Sequence, residues 1–146
     1  MKVADILAHK GNRVVTIKSD ASVRTAVKRL ALERIGALVV SDDGEHVDGI
    51  VSERDIVLAL AEEGAEILDP SRRVEELMTR SVRVCTPEDS VAHLMKVMTL
   101  HRIRHLPVVA DGRLVGIVSI GDVVKNRLEE LEMETSVLRD AWLSSH

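Results

Sequence analysis

The sequence predicts an α+β fold: two β-α-β-β-α units packed through their sheets about a pseudo-two-fold axis, followed by a C-terminal helical extension. Three observations predict it. Four blocks of sequence recur in the same order in the two halves. Short aliphatic runs alternate with segments of helical apolar spacing. Asp-Gly turn signals separate the apolar runs that should pair.

The recurring blocks define the units. "VADIL" at 3–7 is answered by "VEELM" at 74–78, and "SDASVRTAVKRL" from Ser19 by "PEDSVAHLMKVM" from Pro87. "RIGALVV" from Arg34 is answered by "RIRHLPVV" from Arg102, and "GIVSERD" from Gly49 by "GIVSIGD" from Gly116. The first unit has a longer approach, "AHKGNR", and a longer hairpin connection. Insertions confined to connections are what a duplicated fold shows. The first unit is therefore expected over 1–62 and the second over 74–128. A Gly-, Pro- and charge-containing linker at 63–73 joins them, and an amphipathic helix and tail occupy 129–146.

Within each unit the elements follow in order. "RVVTI" (13–17) and "VRVCT" (82–86) are β-branched runs ended by turn residues, hence strands. Ser22 and Ser90 are N-cap candidates for helices with apolar residues at Val23, Ala26, Val27 and Leu30, and at Val91, Leu94, Met95 and Met98. "ALVV" and "LPVV" are apolar strands, and the Asp-Gly signals that follow fold each back in a hairpin onto "GIV". After Ser52 and Ser119 helical spacing returns. In the second unit it continues through Val124, Leu128, Leu131, Thr135, Leu138 and Trp142, a heptad-like stripe about five turns long. The stripe either packs back on its own domain or pairs across a dimer.

Composition narrows the function. The chain has 146 residues, 45% hydrophobic and 30% charged, with a net charge of −4, no Phe or Tyr, and a single Trp. A negative chain without aromatic stacking platforms is not expected to bind nucleic acid. No apolar run approaches the ~20 residues that span a bilayer, and the N-terminus is too polar for a signal peptide. Cys85 is the only cysteine, so no intrachain disulfide forms. A cytoplasmic location and a buried structural thiol are expected.

The repeated Gly-Ile-Val-Ser-x-x-Asp carries the chemistry. Ser52 with Asp55, and Ser119 with Asp122, have capping-box spacing: the hydroxyl accepts from a helix amide and the carboxylate sits at the positive helix end. The same place, where a strand meets a helix N-terminus, is also where an anion meets free amides. There a carboxylate can accept from the paired hydroxyls of a ribose.

On these residues the chain resembles a tandem pair of cystathionine β-synthase (CBS) domains, over about residues 1–128. The stretch from Ile103 to Val124 and its echo "IGALVV…GIVSERDIV" carry the resemblance. It implies a non-catalytic regulatory module that binds adenosyl compounds in clefts between its repeats. The ligand would be AMP, ADP, ATP or NAD(H), with S-adenosylmethionine as the alternative. The resemblance also implies a disc-like homodimer and a regulated protein of unknown identity. It assigns ribose to Asp55 and Asp122, and ribose or phosphate contacts to Ser52 and Ser119. It lines the adenine or phosphate end of each cleft with Gly36–Ala37 or Arg104–His105, and flanks the base with apolar residues around Val3 and Val74.

The halves are not equal. Arg54 stands in the first motif where Gly121 stands in the second, and a guanidinium there could fork onto a phosphate. "HRIRH" (101–105) concentrates charge beside the second strand pair, and His105 could add pH sensitivity. His101 and His105 would make a metal pair only on a continuous helix. Pro107 and the coming strand argue against one, so no metal site is expected. An enzymatic reading, such as a nucleotide hydrolase, needs a nucleophile, a base and usually a metal. The sequence has no Ser-His-Asp spacing, Gly-rich phosphate loop or metal-spaced carboxylate cluster. The remaining alternative is an architectural dimer with vestigial sites.

Overall fold

The computed structural model describes residues 1–145. Helix α1 (Val3–Lys10) opens the chain, followed by β1 (Thr16–Ile17), α2 (Val23–Glu33), β2 (Ala37–Val40), β3 (Gly49–Ser52) and α3 (Glu53–Glu63). The second half contributes α4 (Val91–His101), β4 (His105–Ala110), β5 (Arg113–Ser119) and α5 (Ile120–Ser144). β1 pairs in parallel with β2, which pairs antiparallel with β3. β4 and β5 form the equivalent antiparallel hairpin.

The duplicated blocks produce duplicated contacts. Ser22 and Ser90 cap α2 and α4, each accepting from a backbone N–H three residues on at 3.1 Å. Such a cap is worth about 1 kcal/mol. Both helices end on an arginine in the left-handed region, Arg34 and Arg102. In the hairpins Ala37 faces Ser52 as His105 faces Ser119. Asp111 and Gly112 both have positive φ, as a tight Asp-Gly hairpin turn requires. "VRVCT" makes less strand than "RVVTI": only Cys85 bridges to Val108.

The two units exchange their leading segments. Val3, Ile6 and Leu7 of α1 are buried with Cys85, Leu94, Leu106 and Val118, the core of the second unit. Val74 is buried with Ile17, Val23, Leu38 and Val51, the core of the first, and Leu77 and Met78 pack against that core. The exchange explains the glycine that opens each GIVS block. A Cβ on Gly49 would lie 2.7 Å from Met78 Sδ and 3.0 Å from the Thr79 carbonyl oxygen. One on Gly116 would lie 2.7 Å from a Leu7 methyl. The fifth residues of "VADIL" and "VEELM" thus seat on opposite glycines, the pseudo-two-fold relation written in two contacts.

Residues 63–73, expected as a linker, are folded onto the first unit. Gly64–Leu68 form a 3-10 turn whose Ile67 is fully buried in that core. Arg72 holds Glu63 at 2.9 Å and Glu76 at 2.8 Å. At the other end, α5 buries Val123 and Asn126 and partly buries Glu130, but residues 131–145 are all exposed. The heptad-like stripe does not pack back on its own domain.

Candidate functional site

One cavity of about 960 Å³ opens between the units. The end of β3 and the first turn of α3 supply Ile50, Ser52, Glu53, Arg54, Asp55 and Val57. Gly36 lies at its edge. The exchanged segment supplies Thr79, Ser81, Val82 and Arg83, and the α4–β4 connection supplies His101 to His105. Ile120 closes the wall. The volume lies within the range of small-molecule sites.

Asp55 is fixed by the strand-to-helix turn itself. Its Oδ2 accepts from the Ser52 N–H at 2.8 Å and the Ser52 hydroxyl at 3.0 Å, while Ser52 Oγ accepts from the Asp55 N–H at 3.3 Å. The capping box therefore exists and uses only one carboxylate oxygen. Oδ1 has no partner among the described residues, so the carboxylate lining the cavity keeps acceptor capacity. Arg54, Arg83, Arg102 and Arg104 line the same cavity, and none forms an ion pair with a described residue. The cleft thus collects four arginines and the carboxylate residues Glu53 and Asp55 in its lining, with no ion pair among them.

His105 projects into the cavity from the second unit towards Gly36, whose missing side chain makes the room. A Cβ there would sit 3.0 Å from His105 Cε1. Burial holds the imidazole below its usual pKa. Glu53 and Asp122 work against that effect, while Lys10 and Arg104 reinforce it. His105 thus senses charges from both halves. α4 ends at His101 and His105 opens β4, so the two histidines share no helix face.

The second copy of the motif is arranged differently. Asp122 Oδ2 accepts from the Ser119 N–H at 2.9 Å, and Ser119 Oγ from the Asp122 N–H at 3.1 Å, as in the first. Here, however, the Lys10 ammonium lies 2.7 Å from the same oxygen and also donates to the Ile117 carbonyl at 3.0 Å. Burial works to raise the Asp122 carboxyl, but Lys10 and the Ser119 N–H outweigh it and hold it below the usual carboxylate range. Lys10 belongs to "AHKGNR", the approach that is longer than its counterpart in the second unit.

Of the expected site residues, the structure brings Ser52, Arg54, Asp55, Gly36, Arg104 and His105 into one cavity. Ser119 and Asp122 lie outside it. Ala37 is buried in β2 against Ser52. Val3 and Val74 do not flank the cavity: both are fully buried in the unit cores by the exchanged segments. Its apolar wall consists instead of Ile50, Val57, Val82, Ile103 and Ile120. Thr79, Ser81 and Arg83 were not singled out by sequence. Their signal is the polar stretch directly after "VEELM", which only the exchange brings to the first unit's motif.

A duplicated α+β module with a ligand-sized cleft between its repeats is the class that fold and cleft define. The CBS domain family model matches residues 3–62 and 74–129, and the chain belongs to that family. The CBS-domain containing protein ATU1752 from Agrobacterium tumefaciens is 46% identical with a TM-score of 0.82, over 87% of this chain and 99% of that one. CBS domain protein PAE2072 from Pyrobaculum aerophilum, solved in complex with AMP, is 30% identical with a TM-score of 0.77, over 92% and 99%. The CBS domain pair of protein MJ0100, solved with 5′-methylthioadenosine and S-adenosyl-L-methionine, is 30% identical with a TM-score of 0.77, over 89% and 98%. The mitochondrial CBS domain-containing protein CBSX3 of Arabidopsis thaliana is 35% identical over 136 residues. The chain spans 65% of that relative's length and 88% of its own is covered.

Proposed function

We propose that this CBS pair is a regulatory module that binds an adenine nucleotide in the Asp55 cleft and passes its occupancy to a partner protein. The observation that carries the reading is the presence, in one cavity, of a half-used carboxylate and four arginines that have no ion-pair partner among the described residues. A ribose diol can donate to Asp55 Oδ1, and a phosphate can take the charge-assisted donors of Arg54, Arg83, Arg102 and Arg104. The base would lie against aliphatic side chains, since the chain has no Phe or Tyr. The AMP complex of PAE2072 supports this ligand class. AMP, ADP, ATP and NAD(H) all fit the chemistry. The S-adenosylmethionine carried by MJ0100 fits it less well, because four cations disfavour a sulfonium. The family is regulatory and ligand-binding rather than catalytic. Its disc-like homodimer, two pairs around a central opening, is the assembly through which occupancy would be communicated.

Thermal-shift and calorimetric titration against AMP, ADP, ATP, NAD(H), adenosine and S-adenosylmethionine tests the proposal. Saturable binding of the phosphorylated ligands, tighter than adenosine, is expected. Absence of binding by all six would overturn it and leave an architectural dimer.

A further inference from the structure

α5 continues far past the domain it caps. Up to Glu130 one face is occupied: Val123 and Asn126 are buried, and Glu130 receives Arg127 at 2.6 Å and the N-terminal ammonium at 3.3 Å. The stripe Val124, Leu128, Leu131, Thr135 and Leu138 lies on a different face. Leu128 is 55% exposed, Leu131 44% and Leu138 70%. A shallow groove runs along it past Leu128, Leu131, Thr135 and Arg139. Steps of four and three assign these residues to the inner seam of a coiled coil, with Arg127 and Glu134 flanking on one side and Glu132 and Arg139 on the other.

The flanking charges select the occupant and its direction. When two copies of α5 lie parallel and in register, each flanking residue meets the residue five positions on in the other helix. Arg127, which already reaches Glu130 in its own chain, then faces Glu132 of the partner subunit. Glu134, which has no ion pair with a described residue, faces Arg139 of the partner subunit. Both contacts are attractive and both occur twice by symmetry. Antiparallel pairing over the same full stripe sets Glu132 and Glu134 each against its own copy, and Lys125 against Arg139. All of those contacts are repulsive. We infer that α5 binds a second copy of this chain as a parallel two-stranded coiled coil through Leu128, Leu131 and Leu138. This makes the homodimer of the preceding reading, on which the inference rests, head-to-head.

The test uses the full-length protein in a Cys85→Ala background. With Leu138→Cys added, mild oxidation should give a disulfide-linked dimer, because a seam residue of a parallel pair faces its own copy. In every antiparallel register Leu138 faces a different residue. Light scattering of Glu134→Arg should show at least tenfold weaker dimerisation, and Glu134→Arg/Arg139→Glu should restore it. A dimer that neither cross-links at 138 nor responds to charge reversal overturns α5 pairing while leaving the disc dimer standing. A monomer at high micromolar concentration overturns both. Circular dichroism verifies that each variant keeps its fold, as these exposed positions should allow.

Discussion

The Lys10 ammonium lies 2.7 Å from Asp122 Oδ2, whereas Asp55, the equivalent carboxylate, has no cation against it among the described residues. One chain therefore carries two copies of one capping motif, and only the second has a cation held at its capping oxygen. Wild-type protein should bind one equivalent of nucleotide per chain, and Lys10→Met should bind two. Calorimetric stoichiometry measures this, and two equivalents in the wild type would contradict it.

The same ion pair has a signature in acid. A carboxyl held below its usual pKa stabilises the fold above pH about 3.8, and that contribution is lost as pH falls through the lower folded value. Lys10→Met should reduce stability at pH 7 by about 1 kcal/mol, the scale of a partly exposed pair, and flatten the acid-side loss. Urea unfolding between pH 3 and 7 reads both.

His105 gives a second pH dependence, at higher pH. Its folded pKa is depressed from 6.5 by burial, so the unfolded chain takes the proton first and stability falls as pH drops below about 6.5. His105→Gln should remove that slope. A phosphate bound beside the ring favours its charged form. Nucleotide binding near pH 6 should thus take up protons, seen as a buffer-dependent calorimetric enthalpy that adenosine does not show.

The GIVS glycines are predicted to differ in cost. A Cβ on Gly49 meets the Thr79 carbonyl oxygen as well as Met78, whereas one on Gly116 meets only the flexible end of Leu7. Gly49→Ala should destabilise by about 2–3 kcal/mol and Gly116→Ala by about 1 kcal/mol, the range of overpacking costs. Thermal or denaturant unfolding ranks them, and the reverse order would refute the exchanged packing.

Cys85 should be inert. It is buried, and burial, then the Asp89 carboxylate, push its thiol up to about 12. It should resist iodoacetamide at pH 8 in the native state and react on unfolding.

Much of this architecture was legible because the repeat made each assignment twice. The Ser22 and Ser90 caps, the two hairpins, and the Ser52–Asp55 and Ser119–Asp122 boxes all follow from local spacing. What was not legible is non-local. "VADIL" and "VEELM" read as the start of their own units, yet each completes the other unit, so Val3 and Val74 become core and not cleft. Thr79 and Arg83 enter the cleft for the same reason. α1 buries Val3, Ile6 and Leu7 in the other unit, and the contact of Lys10 at its last turn with Asp122 joins residues distant in sequence. The folded 63–73 segment is held by the buried Ile67, by the Arg72 ion pairs with Glu63 and Glu76 and by the Ser22–Arg73 bridge, contacts that leave no periodicity in the sequence.

Calorimetric titration of AMP into the wild type, Asp55→Ala and Asp122→Ala tests the central claim most directly. Loss of a charged hydrogen bond to ribose should weaken Asp55→Ala about 10–100-fold, while Asp122→Ala binds within about threefold of wild type. Equal affinity of the wild type and Asp55→Ala, or loss confined to Asp122→Ala, would contradict the assignment of the Asp55 cleft.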